Sequence, residues 1–403
     1  MALLSVAEAL AHVLAGAMPL PAENAALINA HGRVLAADLA ALRTQPPADV
    51  SAMDGYAVNA ADVVNTPARL KVIGEVPAGR PFNRAIGRGE AARIFTGGFM
   101  PSGADTVVIQ EVTTREGDIV VINKPSAKGK NVRVEGLDFK QGEALLAKGH
   151  RLTARDLSLC AAMNCPQAPV HRRPRIALLA TGDELVMPGT TPGPGQIVYS
   201  NGFSLMALAR DEGAEVSNLG IVPDRLDETV AAVRRARNLP ADILVTTGGA
   251  SVGEYDLVQK AFAAEGMALS FWKVAMRPGR PLMHGRLGSM DVLGLPGNPV
   301  SAYVCAVLFL VPLIRRLAGR TDIALETESA ELGADLPKND ERADYLRARL
   351  STGVQGQLIA TSFPVQDSSM LSPLAKADCL IIREPYDSET KAGSVCKVTR
   401  LKP

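Results

Sequence analysis

Three apolar runs, each broken by a glycine-containing polar turn, constrain this chain more than any other feature. Ile176-Ala-Leu-Leu-Ala180 runs into Thr181-Gly-Asp-Glu184, and Ile243-Leu-Val-Thr-Thr247 runs into Gly248-Gly-Ala-Ser-Val-Gly-Glu254. Val292-Leu-Gly-Leu295 runs into Pro296-Gly-Asn-Pro299. Short apolar runs bounded by turn residues predict fully buried strands. Helical patterns at 201–212, 227–237 and 256–265 lie between them, with further strands at 215–222 and 269–275. Together they predict an open α/β sheet whose ligand site lies at the carboxyl ends of its strands.

A chain of 403 residues has room for two to four domains at roughly 150 residues each. Hydrophobic content of 47% excludes wholesale disorder. Lys+Arg 43 against Asp+Glu 42 leaves a net charge of +1, so no global field favours nucleic acid or an acidic membrane. Cys160, Cys165, Cys305, Cys379 and Cys396 are scattered, with no CxxC pair. That pattern predicts reduced thiols in a cytoplasmic protein. The apolar N-terminus lacks a basic leader segment, and Ser5 with Glu8 predicts a capped amphipathic helix rather than a signal peptide. The run Val300 to Ile314, shorter than the ~20 residues a membrane span needs, predicts a core helix.

Around this centre the texture changes. From about residue 46 to 130, β-branched runs such as Thr106-Val-Val-Ile109 and Ile119-Val-Val-Ile122 alternate with turns, predicting a compact β module. Thr153 to Asp156 predicts a helix cap. His171-Arg-Arg-Pro-Arg175 reads as a linker into the α/β domain. After Leu317 a tail of alternating runs, including Leu346-Arg-Ala-Arg-Leu350 and Cys379-Leu-Ile-Ile382, predicts a final small β domain.

The turns carry the candidate chemistry. Asn298-Pro299 opens a helix in the preferred way, which by itself is only capping. At a strand's carboxyl edge, however, Pro296, Gly297 and Asn298 would bring the positive end of that helix to an anion. Gly248, Gly249, Ser251 and Gly253 form a turn whose N–H groups suit an oxyanion, without being a Walker A loop. The plain alternative is a tight strand-to-helix turn. Asp183 and Glu184 suit a metal-bridged phosphate, with Asp224 and Asp256 as further carboxylates; a charge beside a helix dipole is the alternative. Lys273, Arg277 and Arg280 cluster around Pro-Gly turns and suit an oxyanion or polyphosphate. Asp54 and Thr96 lie in the β module, where turn formation is the simpler explanation. No His neighbours a nucleophile candidate, so a hydrolase triad has no support.

In their order, these motifs resemble one family over nearly the whole chain: the MoeA-type molybdopterin molybdenumtransferases, related to the C-terminal part of gephyrin. The markers are Ser51-Ala-Met-Asp-Gly-Tyr56, Phe95-Thr-Gly-Gly98, Asn131-Val-Arg133, Thr181-Gly-Asp-Glu-Leu185, Ser200-Asn201, Pro223-Asp224, Thr247-Gly-Gly-Ala-Ser-Val-Gly253 and Pro296-Gly-Asn-Pro-Val-Ser301. The resemblance implies a multidomain α/β plus β fold. It would comprise an elongated discontinuous domain (1–45 and 131–170) with an inserted β module (46–130). A three-layer molybdopterin-binding α/β domain (171–318) and a C-terminal β-barrel-like domain (319–403) would follow.

It further implies a homodimer whose site lies between the α/β domain of one subunit and the inserted module of the other. The implied reaction inserts molybdate into adenylylated molybdopterin, with Mg²⁺, and releases AMP. Asp54, Thr96, Glu184 and Asp256 match catalytic positions, and Asp54, Glu184 and Asp256 are the implied metal ligands. Substrate contacts are implied for Thr181, Gly182, Asp183, Asn201, Asp224, Gly248, Gly249, Ser251, Gly253, Lys273, Arg277 and Arg280. The same holds for Pro296, Gly297, Asn298 and Ser301. The adenylyltransferase of the same pathway and the molybdoenzymes or carriers that accept the cofactor are the implied protein partners. Tyr199 stands where many members have Asp, Arg277 and Arg280 where Lys is common, and Gln366-Asp-Ser-Ser369 replaces a Gly-Ser-Gly-like run. The alternatives are an adenylyltransferase, which the extra terminal domains argue against, and a non-catalytic scaffold, which would have no use for the acidic and basic site residues.

Overall fold

The structure, a computed structural model, describes residues 3–248 and 257–401. Its centre is a six-stranded sheet of β1 (Arg175–Thr181), β2 (Glu215–Val222), β3 (Ile243–Thr247), β4 (Ala268–Trp272), β5 (Met283–Leu287) and β6 (Met290–Leu295). The spatial order is β2-β1-β3-β6-β5-β4. The first four in that order run parallel, and β5 and β4 complete the sheet antiparallel. Both faces are covered, which is why β1, β3 and β6 read as continuous apolar runs rather than alternating ones. Ile176, Leu178 and Val245 pack beneath the helices Asn201–Asp211 and Pro299–Cys305. Ala177, Leu179 and Leu244 face the helices Leu226–Asn238 and Leu257–Ala264 on the other side. The expected three-layer α/β architecture is present.

The order of the strands fixes where a ligand fits. From β1 the chain moves outward to β2 and then crosses to β3 on β1's opposite flank, so β1 and β3 diverge at a topological switch point. Register keeps the strand ends level: Thr181 pairs with Val222, Ala180 with Thr247, and Thr247 with Leu295. Their turns therefore open on one edge. The apolar helix beginning at Pro299 continues to Leu317 with a π-helical segment, Ala306–Leu310, and 89% of its most apolar window is buried. It is a core helix.

Two shorter ladders and one five-residue ladder tie the two halves of the elongated region together. Ala22–Ala26 pairs with Gln167–His171, Leu39–Ala40 with Ala144–Leu146, and Val50–Ser51 with Val132–Arg133. Leu35, Leu39, Phe139, Leu146 and Met163 share their core. The N-terminal helix, expected in this region, packs elsewhere. Its Ser5–Glu8 capping box forms as the sequence indicates, but Ala9, Val13 and Ala17 join the α/β core. The backbone ahead of it bridges to that domain at Leu4 and Val274. An amphipathic helix settles where its apolar face is covered, whatever its place in the chain.

Between these segments lies a six-stranded β module in which Gly55–Val58 pairs with both Thr106–Ile109 and Glu90–Ile94. In the C-terminal domain the ten-residue strand Ala343–Thr352 pairs with Leu358–Ser362 toward one end and with Cys379–Arg383 toward the other. Glu328–Leu332 and Val395–Arg400 complete a closed five-stranded ring. Met276–Arg277 adds in parallel to Ala343 and Asp344, binding the barrel to the α/β domain.

Candidate functional site

A cavity of about 640 Å³ opens at the carboxyl edge of the parallel strands. Thr181, Thr247 and Gly248 line it from the ends of β1 and β3, and Pro296, Gly297 and Asn298 from the turn after β6. Asn201 and Ser301 enter from the two helices on the same face of the sheet. The backbone here is too close for side chains. At Gly248, with φ +88°, a Cβ would lie 2.3 Å from the Thr181 carbonyl oxygen. The Asn201 amide donates to the Gly297 carbonyl at 2.7 Å, tying the start of one helix to the turn that begins the other. The sequence reading of Asn298 as a side-chain cap is corrected. Asn298 occupies the N-cap position but makes no capping hydrogen bond, and its amide donates instead to the Ser368 hydroxyl at 3.0 Å.

Carboxylates gather at this edge. Glu184 and Asp224 line the cavity, and the Asp224 backbone N–H donates to the Asp183 carboxylate at 3.1 Å. Burial, with Glu184 and Asp183 nearby, pushes the Asp224 carboxyl above its ordinary value. The Glu184 side chain curls over Gly182, where a Cβ would meet its carboxylate at 2.6 Å. Among the described residues no group of three or more His, Cys, Asp or Glu is arranged to hold a metal ion. Gly249, Ser251, Gly253 and Asp256, expected site residues, lie outside the described residues.

No Lys or Arg is among the described residues lining the cavity. Lys273 takes φ +79° and lays its ammonium 4.2 Å from the Trp272 ring centroid. Arg277, expected to hold an anion, is turned toward the C-terminal barrel. Its guanidinium pairs with Asp344 and reaches Asp340 at 3.5 Å and Asn339 at 3.4 Å. Arg280 is exposed, with no side-chain partner among the described residues.

Asp54 and Thr96 do meet, as one unit in the β module. The Asp54 carboxylate accepts from the Thr96 N–H and hydroxyl, both at 2.8 Å, and these bonds hold its pKa below the usual carboxylate value. Arg93, whose guanidinium lies 5.3 Å from the Tyr56 ring and 5.0 Å from the Phe95 ring, adds a favourable charge. Neither Asp54 nor Thr96 lines the sheet-edge cavity of the same chain.

Two contributions to the wall are not among the expected site residues. Ser369 and Leu371, from the C-terminal domain, form part of the cavity wall. Their loop is held by Arg347, 1% exposed, whose guanidinium donates to the carbonyls of Met370 and Asp367, each at 2.9 Å. The other is Tyr199, 2% exposed and lining the cavity.

Comparison with known proteins gives the same picture along the chain. Residues 4–164 match the MoeA N-terminal region (domain I and II), residues 177–316 a probable molybdopterin-binding domain, and residues 329–401 the MoeA C-terminal region (domain IV). The molybdopterin molybdenumtransferase of Haemophilus influenzae is 34% identical over 382 residues, covering 94% of each chain. That of Bacillus subtilis is 35% identical over 369 residues, covering 89% of this chain and 85% of its own. The solved structure of the MoeA molybdopterin biosynthesis protein from Pyrococcus horikoshii superimposes with a TM-score of 0.86 at 29% identity, covering 100% of both chains.

Proposed function

The chain belongs to the MoeA family of molybdopterin molybdenumtransferases, enzymes of molybdenum cofactor biosynthesis, and from that premise we propose what its cavity does. The sheet-edge cavity binds adenylylated molybdopterin, molybdate is placed on the dithiolene, and AMP leaves. The observation that carries this reading is the position of the acidic turns: Glu184 and Asp224 stand at the mouth of a switch-point cavity of a size suited to a small-molecule ligand.

Asp224, raised first by burial and then by the neighbouring Glu184 and Asp183, with no Lys or Arg among the described lining, suits a divalent cation. Glu184 and Asp224 would hold Mg²⁺, which supplies charge neutralisation at the phosphoanhydride. Asn201 steadies the 296–298 turn through the Gly297 carbonyl, keeping the start of the Pro299 helix aimed at the substrate. Arg280, exposed and next in sequence to the lining residue Pro281, would attract molybdate or a phosphate. Asp54 and Thr96 reach the reacting group from a second copy of the chain. Their shared hydrogen bonds keep Asp54 ionised and oriented, and they belong to a module that does not line the cavity of its own chain. Homodimerisation and a cytoplasmic location complete the proposal.

The test is to incubate the protein with adenylylated molybdopterin and Mg²⁺ and to follow AMP with and without molybdate. AMP release that depends on molybdate and falls in Glu184→Gln supports the reading. Pyrophosphate formation from ATP and free molybdopterin, without AMP release, would replace it with the preceding adenylylation step.

A further inference from the structure

Asp54 and Thr96 sit in a frame that their own two bonds do not account for. Arg93 stands opposite Tyr56 in the ladder between Gly55–Val58 and Glu90–Ile94, and Phe95 follows two residues on, so the three side chains share one face of the β module. The Arg93 guanidinium lies against both rings, donates to the Gly55 carbonyl at 3.2 Å and donates to the Gln110 side-chain oxygen at 2.5 Å. Gln110 in turn donates its backbone N–H to the Asp54 carbonyl at 3.2 Å. One guanidinium therefore holds Gly55 directly and Asp54 through Gln110. The segment that carries it runs on to Thr96, whose N–H and hydroxyl bind the Asp54 carboxylate.

The frame leaves little slack. A Cβ on Gly55 would lie 2.0 Å from the Val108 carbonyl oxygen, so the backbone beside Asp54 is pressed against the neighbouring strand. Both Thr96 bonds fall on Oδ1 of Asp54, and Arg93 makes no ion pair with the carboxylate among the described residues. Oδ2 thus keeps its lone pairs for another group. A planar guanidinium can stack on rings while its N–H groups bond in the plane to separate acceptors, which a lysine ammonium cannot do.

On the reading of Asp54 and Thr96 as groups that reach the reacting centre of a second copy, we propose that Arg93 is the positioning residue for this pair. It touches no substrate and fixes the direction of the Asp54 carboxylate through Gly55 and Gln110. A cross-strand contact that served only the stability of the module would need neither the carbonyl nor the amide bridge.

The test follows molybdate-dependent AMP release by the full chain at saturating molybdate and Mg²⁺, with adenylylated molybdopterin varied. Arg93→Met, Arg93→Lys and Gln110→Leu are compared with wild type, alone and combined with Asp54→Ala, and calorimetry records each unfolding midpoint. Arg93→Met should lower kcat by at least about tenfold with KM within about twofold of wild type, because the residue orients a group rather than binding substrate. Arg93→Lys should recover little of that loss. Gln110→Leu, which cuts the bridge at an exposed residue, should lower kcat by about threefold at an unchanged midpoint. In the Asp54→Ala background none of the three should cost anything further. A loss carried by KM, full activity in Arg93→Lys, or an undiminished loss in the absence of Asp54 would overturn the role. If Arg93→Met does not fold, wild-type kcat in Gln110→Leu overturns it. Asp54→Ala chains that release AMP at the wild-type rate would instead overturn the reading of Asp54 on which the role rests.

Discussion

Replacing Glu212 by Gln should unlock the junction of three parts of the molecule. Glu212 follows the helix Asn201–Asp211 and is 4% exposed. Its carboxylate accepts from Arg315 at 2.9 Å through each oxygen and from Arg320 at 2.6 Å. Those arginines are 5% and 7% exposed, at the end of the core helix and the start of the C-terminal segment. Arg151, from the elongated region, sits close enough that Arg320 opposes its charge and Glu212 favours it.

Removing the shared carboxylate leaves like charges buried together, with Asp322, bonded to Arg320 at 2.7 Å, as an acidic neighbour. Deleting one partner of a buried ion pair costs about 3–5 kcal/mol. At 2–4 °C per kcal/mol for a domain of this size, the corresponding unfolding midpoint should fall by roughly 6–20 °C. Differential scanning calorimetry measures this, and Glu212→Gln/Arg320→Met should recover part of the loss, since it removes one of the stranded charges. A single variant within about 1 kcal/mol of wild type would refute the electrostatic reasoning.

Other outcomes follow from the same geometry. Gly248→Ala must place a Cβ 2.3 Å from the Thr181 carbonyl at φ +88°, so the ends of β1 and β3 should separate and molybdopterin binding by isothermal titration should be lost. Asp340 is held at about 2, first by its bond to Arg342, with Arg277 adding a smaller charge effect. Because the folded value lies below the ordinary one, its stabilisation is complete above about pH 4 and fades as pH falls toward 2. The stability difference between wild type and Asp340→Asn should therefore shrink across that interval in urea titrations. Arg280→Ala should weaken molybdate binding and flatten its dependence on ionic strength, whereas Arg277→Ala should chiefly loosen the contact with the barrel, seen as a lower midpoint in calorimetry.

Much of this was legible because several elements obey local rules. β1, β3 and β6 are buried on both faces, and Ser5–Glu8 and Thr153–Asp156 form the capping boxes their spacing announces. The turn residues at the strand ends were readable as a site because glycines there permit approaches that no other residue could make.

What escaped depends on contacts distant in sequence. Arg347 sits in an alternating run that marks a strand, and nothing in that pattern shows its guanidinium turned inward to carbonyls near residue 370. The docking of the first helix and the diversion of Asn298 to Ser368 are likewise decided by which surfaces meet. The charge of Arg277 is plain in the sequence, but its barrel carboxylate, Asp344, lies 67 residues away.

The most direct test of a site shared between two copies mixes Asp54→Ala chains with Glu184→Gln chains, each inactive alone, and measures molybdate-dependent AMP release. If Asp54 of one copy serves the Glu184 cavity of the other, random pairing restores one intact site in each mixed dimer, giving roughly a quarter of wild-type activity. Activity that stays at the level of the separate variants, with mixed dimers verified by mass, would contradict it.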